Sequence, residues 1–274
     1  MNQLSTQRRT QVINCLVEGN SIRSTERMTG IHRDTIMRLM VGVGNSCEML
    51  MREEMKNLSC RRIQVDEIWT YVGKKQRWIT KNDDQSKVGD MWTFVALDAD
   101  TKLVPAFRVG KRNLPTATAF LSDLSDRLAN RVQLSSDAMN AYVEATERAF
   151  GANVDYAQIV KIYEAEPIGP GRYSPPQVVS TERTNIIGRP DPSHVSTSFI
   201  ERQNLTMRMQ MRRFTRLTNA FSKKVENLKA AVALHFAHYN FVRIHNSLRM
   251  TPAMAAGVTN RLWSLEELVD RTSN

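Results

Sequence analysis

Two acids stand inside an apolar, strand-forming run in Arg62-Ile63-Gln64-Val65-Asp66-Glu67-Ile68-Trp69-Thr70-Tyr71-Val72-Gly73-Lys74-Lys75, and a cationic turn follows them. An ionised acid buried in a strand is costly unless a cation, a metal or hydrogen bonds compensate its charge. Buried acids of this kind often mark functional sites. The alternative is a strand that ends at Asp66 and leaves the acid in solvent.

Composition favours a soluble protein with a polyanionic partner. The 274 residues include 38 Lys and Arg against 28 Asp and Glu, a net charge of +10. Such an excess attracts nucleic acid or an anionic membrane surface. No apolar run is long enough to span a membrane, and the polar start lacks the apolar core of a signal peptide. We therefore expect a cytoplasmic protein that acts near DNA or RNA and not at a membrane.

Cys15, Cys47 and Cys60 are too widely spaced for a zinc site and are predicted to be reduced.

The N-terminal residues 6–43 have the pattern of three short helices. Ser21 is a good N-cap for the second helix, Gly30 allows a tight turn, and the third helix should begin near His32. This is helix-turn-helix spacing, so we predict a DNA-binding domain over residues 1–45 and a connector over 46–61. The polar residues that would face a major groove are Arg33, Thr35 and Arg38. The alternative is an ordinary three-helix packing unit with a solvated basic face.

The middle of the chain predicts an α/β domain over residues 62–257. Strands at 62–72, 132–136 and 156–162, a hairpin at 91–112, and helices at 115–131 and 140–150 give the order β-β-β-α-β-α-β. We expect a mixed five-stranded sheet with flanking helices. The Pro- and Gly-rich residues 166–194 predict a long loop, which leads into a helix capped by Ser198 that runs to Phe214 or beyond. A further helix over 222–243 follows, and residues 258–274 form a tail with a short helix.

Three acids occupy related places in this order. Asp66 lies in strand one, Asp137 just after strand four, and Glu201 in the late helix. In an RNase H-like sheet strands one and four are neighbours, so the two aspartates would converge and the helix would add the glutamate. Mutually repelling carboxylates are stabilised by divalent cations, and a pair of such ions can clamp a phosphoryl displacement. Mg²⁺ suits these oxygen ligands, with Mn²⁺ as the alternative ion.

Each acid also has a purely structural interpretation. Asp137 could cap the helix that follows it, and Glu201 could complete a capping box with Ser198. Because adjacent residues of a strand face opposite sides, only one of Asp66 and Glu67 is expected in the site.

The residues around the three acids resemble the DDE transposases of bacterial insertion sequences, most closely the insertion-sequence-one family of the RNase H-like, retroviral-integrase superfamily. The resemblance covers about residues 60–257 and rests on residues 65–75, on 134–142 and, most specifically, on Thr197-Ser198-Phe199-Ile200-Glu201-Arg202-Gln203-Asn204-Leu205-Thr206-Met207-Arg208. Relatives often carry an N-terminal Cys-rich zinc finger, and this chain lacks that ligand set.

The resemblance implies metal-dependent cleavage at the ends of an insertion sequence and transfer of the freed 3′-hydroxyl into target DNA. Asp66, Asp137 and Glu201 would be the catalytic metal ligands for two Mg²⁺ ions, with Glu67 left as a supporting or surface acid. Double-stranded DNA, both terminal inverted repeats and target, would be the partner of a homodimer or larger synaptic complex. The expected DNA contacts, besides those of the N-terminal helices, are Lys74, Lys75, Arg202, Arg208, Arg212 and Arg213.

Two alternatives remain at this stage. One is a nuclease of the same fold that cuts without joining. The other is a helix-turn-helix DNA-binding regulator whose acids are structural.

Overall fold

A six-stranded mixed sheet forms the centre of the protein, in a computed structural model that describes residues 4–163, 178–215 and 218–273. The strands are ordered β3-β2-β1-β4-β5-β6. β1 pairs antiparallel with β2 and parallel with β4, β4 pairs parallel with β5, and β6 returns antiparallel beside β5. This mixed α/β arrangement is compatible with an RNase H-like fold. The strand bounds are β1 Arg62–Val72, β2 Gly89–Asp98, β3 Phe107–Gly110, β4 Val132–Asp137, β5 Val154–Tyr163 and β6 Val178–Ile187.

The sixth strand corrects the prediction of five strands and of a continuous loop over 166–194. β6 occupies residues 178–187 of that range, and residues 164–177 lie outside the described residues. Eight of the ten residues of β6 are exposed, so the strand lacks the alternation of apolar and polar residues that marks a half-buried strand. β6 does contain β-branched residues, which favour strands, but the prolines and glycines around them in the sequence predicted a loop.

Helices cover both faces of the sheet. On one face Phe94 of β2 packs against Phe120 of α4 and Tyr142 of α5, with ring centroids 5.8 and 6.1 Å apart. On the other face α6 packs against β1 and β2. The helix bounds are α1 Thr6–Val17, α2 Ile22–Thr29, α3 Arg33–Glu54, α4 Leu114–Arg127, α5 Asn140–Phe150, α6 Ser198–Gln210, α7 Val225–Ala237, α8 Pro252–Ala255 and α9 Leu265–Thr272.

Three predicted helices are longer than the observed ones. α4 ends at Arg127 rather than near residue 131, and α6 ends at Gln210, where a 3₁₀ turn over Arg212–Phe214 replaces the expected continuation. α7 begins at Val225, and its last turn, His238–Val242, widens into a π-helix. Helix ends depend on local packing and capping that periodicity does not encode.

Two of the three N-terminal helices, α1 and α3, share the main hydrophobic core with the sheet, and α2 packs on a separate small cluster. α3 has 22 residues, so it is about 33 Å long, and it runs without a break across the boundary predicted at residue 45. Gly44 lies so close to α7 that a Cβ there would clash with the carbonyl group of Ala230. The turn between α2 and α3 is made by Gly30, which has a φ of +68°, and Ser21 caps α2 as expected. Within the described residues, no helix is both long and apolar enough to cross a membrane.

Candidate active site

Three carboxylates meet at the middle of the sheet. Asp66, Glu67 and Asp137 each offer an oxygen, and these oxygens lie within 4.8 Å of one another; we call this group the acid cluster. The parallel register of β1 and β4 accounts for the meeting. Gln64 is paired with Ser135, so two residues further along the strands Asp66 comes beside Asp137. The predicted convergence of these two aspartates is therefore observed.

Asp66 faces α6. One carboxylate oxygen accepts a hydrogen bond from the side-chain amide of Asn204 at 2.9 Å, and the other accepts from the backbone N–H of Glu67 at 2.8 Å. Burial raises the pKa of Asp66 to about 7, and repulsion from Glu67 adds to the effect. The site therefore holds more negative charge than its own groups compensate.

Glu67 enters the cluster from the opposite face of β1. Its side chain is only 2% exposed, so of the two expectations for Glu67, a supporting acid or a surface acid, the surface acid is wrong. Arg112 Nε donates to Oε1 at 2.5 Å, and the Tyr142 hydroxyl donates to Oε2 at 2.9 Å. Burial and the charge of Asp137 raise the pKa of Glu67, and Arg112 opposes this shift. Asp66 and Glu67 do extend from opposite faces of β1, but both carboxylates reach Asp137, so the expectation that only one of them lies in the site is wrong.

Sequence reasoning missed Arg112 as a member of the site. The residue lies two positions after the end of β3, and its guanidinium also lies 3.7 Å from Asp137 Oδ2. A cation placed between two acids offsets part of their repulsion. The one sequence signal that could have identified Arg112 is its position at the end of the strand pair β2 and β3, which flanks β1.

Asp137 belongs to the acid cluster and is not the N-cap of α5. Its Oδ1 accepts a hydrogen bond from the backbone N–H of Met139 at 3.1 Å, just before α5. Its side chain is also 40% exposed beside the acid cluster. The bond to Met139 lies before the first residue of α5, whose N-cap is Met139 and which receives no side-chain cap, so the alternative of Asp137 as a helix cap is wrong.

Glu201 lies near the acid cluster and not within it. It lines the same cleft as Asp66, Asp137 and Lys161. The Lys161 ammonium and the Thr197 hydroxyl both donate to its Oε1, the second at 2.6 Å. Thr197, rather than Ser198, is the N-cap, so the predicted capping box is wrong. Lys161 is a second cation of the site that sequence reasoning missed.

The donor set fits a hard divalent cation. Carboxylate oxygens from neighbouring elements are the ligands that Mg²⁺ and Mn²⁺ take in proteins. A divalent charge would also relieve the repulsion and burial that raise the pKa of Asp66. The acid cluster is therefore a candidate metal-binding group.

The residues expected to contact DNA have different surroundings. Arg33, Arg38, Lys75, Arg202 and Arg212 are exposed, whereas Thr35, Lys74 and Arg208 are half-buried. Arg38 Nη2 lies 3.5 Å from the Thr35 hydroxyl, and Lys74 forms an ion pair with Asp83 at 2.7 Å. The first turn of α3 and the outer side of α6 thus both present guanidinium groups to solvent.

Arg213 has a different environment from its neighbours. Its guanidinium donates to Ser222 Oγ at 2.9 Å and lies 3.0 Å from Met40 Sδ, and burial lowers its pKa to about 10. The 3₁₀ turn after α6 directs the side chain inward, where it joins two elements of the protein. This placement does not favour the predicted contact with DNA.

Comparisons with known proteins give little further guidance. The sequence matches no protein-family profile, and no curated protein is significantly similar to it. Similar solved structures include the Mos1 transposase paired-end complex with left transposon end (13% identity, 54% of this chain, 58% of that chain, TM-score 0.22) and the Mos1 mariner paired-end complex with Mn (14%, 54%, 57%, 0.22). The Mos1 strand transfer complex matches over 85% of this chain and 78% of that chain, at 13% identity and a TM-score of 0.23. This chain thus spans somewhat over half the length of the first two chains, and TM-scores this low do not establish a common fold.

Proposed function

We propose that the protein is a DDE-type DNA transposase that cleaves DNA at the ends of an insertion sequence and joins the freed 3′-hydroxyl to target DNA. The observation that carries the proposal is the meeting of Asp66, Glu67 and Asp137, with Glu201 on the same cleft as the two aspartates. Acids gathered in this way from two strands and a helix suit metal-dependent phosphoryl transfer.

Asp66, Asp137 and Glu201 are the proposed ligands for Mg²⁺, with two ions expected and Mn²⁺ as the alternative ion. When bound, such ions activate water and stabilise charge on the phosphate oxygens. The protein's own groups orient the ligands. Asn204 fixes Asp66, and Lys161 and Thr197 hold Glu201.

Glu67 and Arg112 form a supporting pair in this proposal. Arg112 and Tyr142 each donate to one oxygen of the Glu67 carboxylate from the α5 side, and Arg112 also approaches Asp137. The pair therefore restrains the acid cluster and limits its repulsion while no cation is bound.

DNA binding is proposed for two surfaces. The helices α2 and α3, joined by the turn at Gly30, have helix-turn-helix spacing and would read the inverted repeats. Cations near α6 and after β1 would hold the phosphate backbone, in keeping with the net charge of +10. Two ends must be held together, so a homodimer or larger complex is proposed. The proposed contacts are Arg33, Thr35, Arg38, Lys74, Lys75, Arg202, Arg208 and Arg212.

A strand-transfer assay tests the proposal, with labelled DNA from the regions that flank the coding sequence and a plasmid as target. We expect cleaved ends and joined products in Mg²⁺, and neither product in EDTA. Asp66→Ala, Asp137→Ala and Glu201→Ala should abolish both products and leave DNA binding intact, whereas Asp126→Ala, at an exposed site on α4, should be active.

The two alternatives give different results in the same assay. A nuclease gives cleaved DNA and no joined product. A regulator binds DNA in EDTA, cuts nothing in Mg²⁺, and is indifferent to the three substitutions.

A further inference from the structure

Four aromatic side chains form a row that leads away from the acid cluster: Trp92, Trp69, Tyr71 and Phe221. Trp69 and Trp92 are directly paired across β1 and β2, so their side chains share one face of the sheet. The rings of Trp69 and Tyr71 are 6.0 Å apart, and those of Tyr71 and Phe221 are 4.6 Å apart. We call this row the aromatic strip.

The aromatic strip is less covered than the rest of its sheet face. All four of its residues are half-buried. On the same face Phe94 is fully buried, because Phe120 of α4 and Tyr142 of α5 pack over it. The strip therefore leaves part of each aromatic ring available beside those helices.

Cations stand at both ends of the aromatic strip. The Arg112 guanidinium lies 5.2 Å from the centroid of the Trp92 ring, and the same group binds Glu67 of the acid cluster. At the other end Lys223 and Lys224 follow Phe221 closely in the chain, and both are exposed.

An acid and a fourth cation lie along the edge of the strip. Asp90 is opposite Tyr71 on β2, and the Lys111 ammonium is 2.9 Å from its carbonyl oxygen. The strip is thus an apolar surface framed mainly by positive charge and continuous with the acid cluster.

We propose that the aromatic strip binds the unpaired bases of a DNA strand that enters the acid cluster. This inference rests on the proposed function and adds a binding site to it. Aromatic rings on a sheet surface hold bases by stacking, while cations beside them hold the phosphates. The 6.0 Å step between Trp69 and Tyr71 exceeds the step of about 3.4 Å between stacked bases of a duplex. The spacing suits bases that are splayed apart, and stacking would make the site tolerant of sequence.

Tryptophan fluorescence in EDTA tests the strip without any chemistry. Trp263 is an internal reference, because it is buried and stacked on Phe241. Trp78, which is 63% exposed, is removed by Trp78→Phe in all samples. The probes are a short single-stranded oligonucleotide and an abasic oligonucleotide of the same length and charge. We expect the first to quench the fluorescence and to bind at least tenfold more tightly than the second.

Variants of the strip supply the second measurement. Trp69→Leu and Phe221→Leu should each weaken binding of the single strand by about five- to 150-fold. Each should bind blunt double-stranded DNA within about twofold of the unchanged protein, which also shows that the variant is folded.

Three results would overturn the inference. The first is equal binding of the abasic probe, and the second is unchanged single-strand affinity in the folded variants. The third is that Trp69→Leu loses its dimer in sedimentation while binding of DNA does not depend on the bases. If the protein gives joined products in Mg²⁺ but its fluorescence is not quenched in a base-dependent way, the base-binding role of the aromatic strip is refuted and the proposed function is not. Base-dependent quenching without metal-dependent cleavage would refute the proposed function and support the strip.

Discussion

Replacing Asp66 with asparagine is expected to stabilise the metal-free protein above pH 7. Burial and neighbouring acids raise the pKa of Asp66 from 3.8 to about 7, so the folded protein holds this proton more tightly than the unfolded chain. The free energy of unfolding therefore falls as pH rises from about 4 to about 7, and it stays low at higher pH. A shift of about three pH units corresponds to at most about 4 kcal/mol. The substitution removes this cost, and we expect a gain of about 1–4 kcal/mol at pH 8.

The hydrogen bonds of Asp66 can survive the substitution. The retained oxygen can still accept from the N–H of Glu67. The new amide group can donate to Asn204 Oδ1 after a flip of that amide, and this oxygen is buried without a hydrogen-bond partner among the described residues. The electrostatic change therefore dominates the expected effect.

Urea unfolding in EDTA at pH 5 and pH 8 measures the effect. Asp126→Asn, at an exposed site on α4, is the matched control and should be neutral at both values. Asp66→Asn should gain more at pH 8 than at pH 5. The reasoning would be refuted if Asp66→Asn were no more stable than the unchanged protein at pH 8, or if its free energy of unfolding rose equally at pH 5 and pH 8.

Three further predictions concern packing, charge and DNA contact. Gly44→Ala should destabilise the protein by about 1–3 kcal/mol in urea unfolding, because its Cβ would clash with α7, whereas Gly42→Ala, with open space in the same helix, should stabilise it by up to about 1 kcal/mol. Arg112→Met should cost about 1–3 kcal/mol because it leaves the buried Glu67 carboxylate without its ion-pair partner, and Glu67→Gln in the same chain should recover most of this loss in a double-mutant cycle. Arg38→Gln should weaken binding to end DNA in EDTA and lower the salt dependence of binding by about one unit of slope; an unchanged slope would exclude a phosphate contact.

The order of elements was predictable because the strands and helices of the α/β core follow local patterns of apolar and polar residues. The strand-forming run around Asp66 and the helix over Asn140–Phe150 lie where periodicity and glycine placement put them. β6 was missed because its exposed residues carry no periodicity, and its pairing with β5 is a non-local contact. The continuity of α3 was missed because nothing local marks how its apolar face meets α7.

The candidate site was predictable only in part, for a related reason. The meeting of Asp66 and Asp137 follows from strand order, which the motif resemblance supplied. The partners of Glu67 and Glu201 could not be found in this way. Arg112 and Lys161 are distant in sequence from the acids that they bind, and charge alone does not distinguish them from surface cations.

Titration with Mn²⁺ by calorimetry tests most directly whether the acid cluster holds a divalent cation. The unchanged protein should bind the ion, and binding should release protons at pH 7 because the pKa of Asp66 is raised to about 7. Asp66→Asn and Asp137→Asn should each weaken binding at least tenfold, while Asp126→Asn should bind as the unchanged protein does. Equal Mn²⁺ affinity in all four proteins would contradict the assignment of the acid cluster as a metal centre.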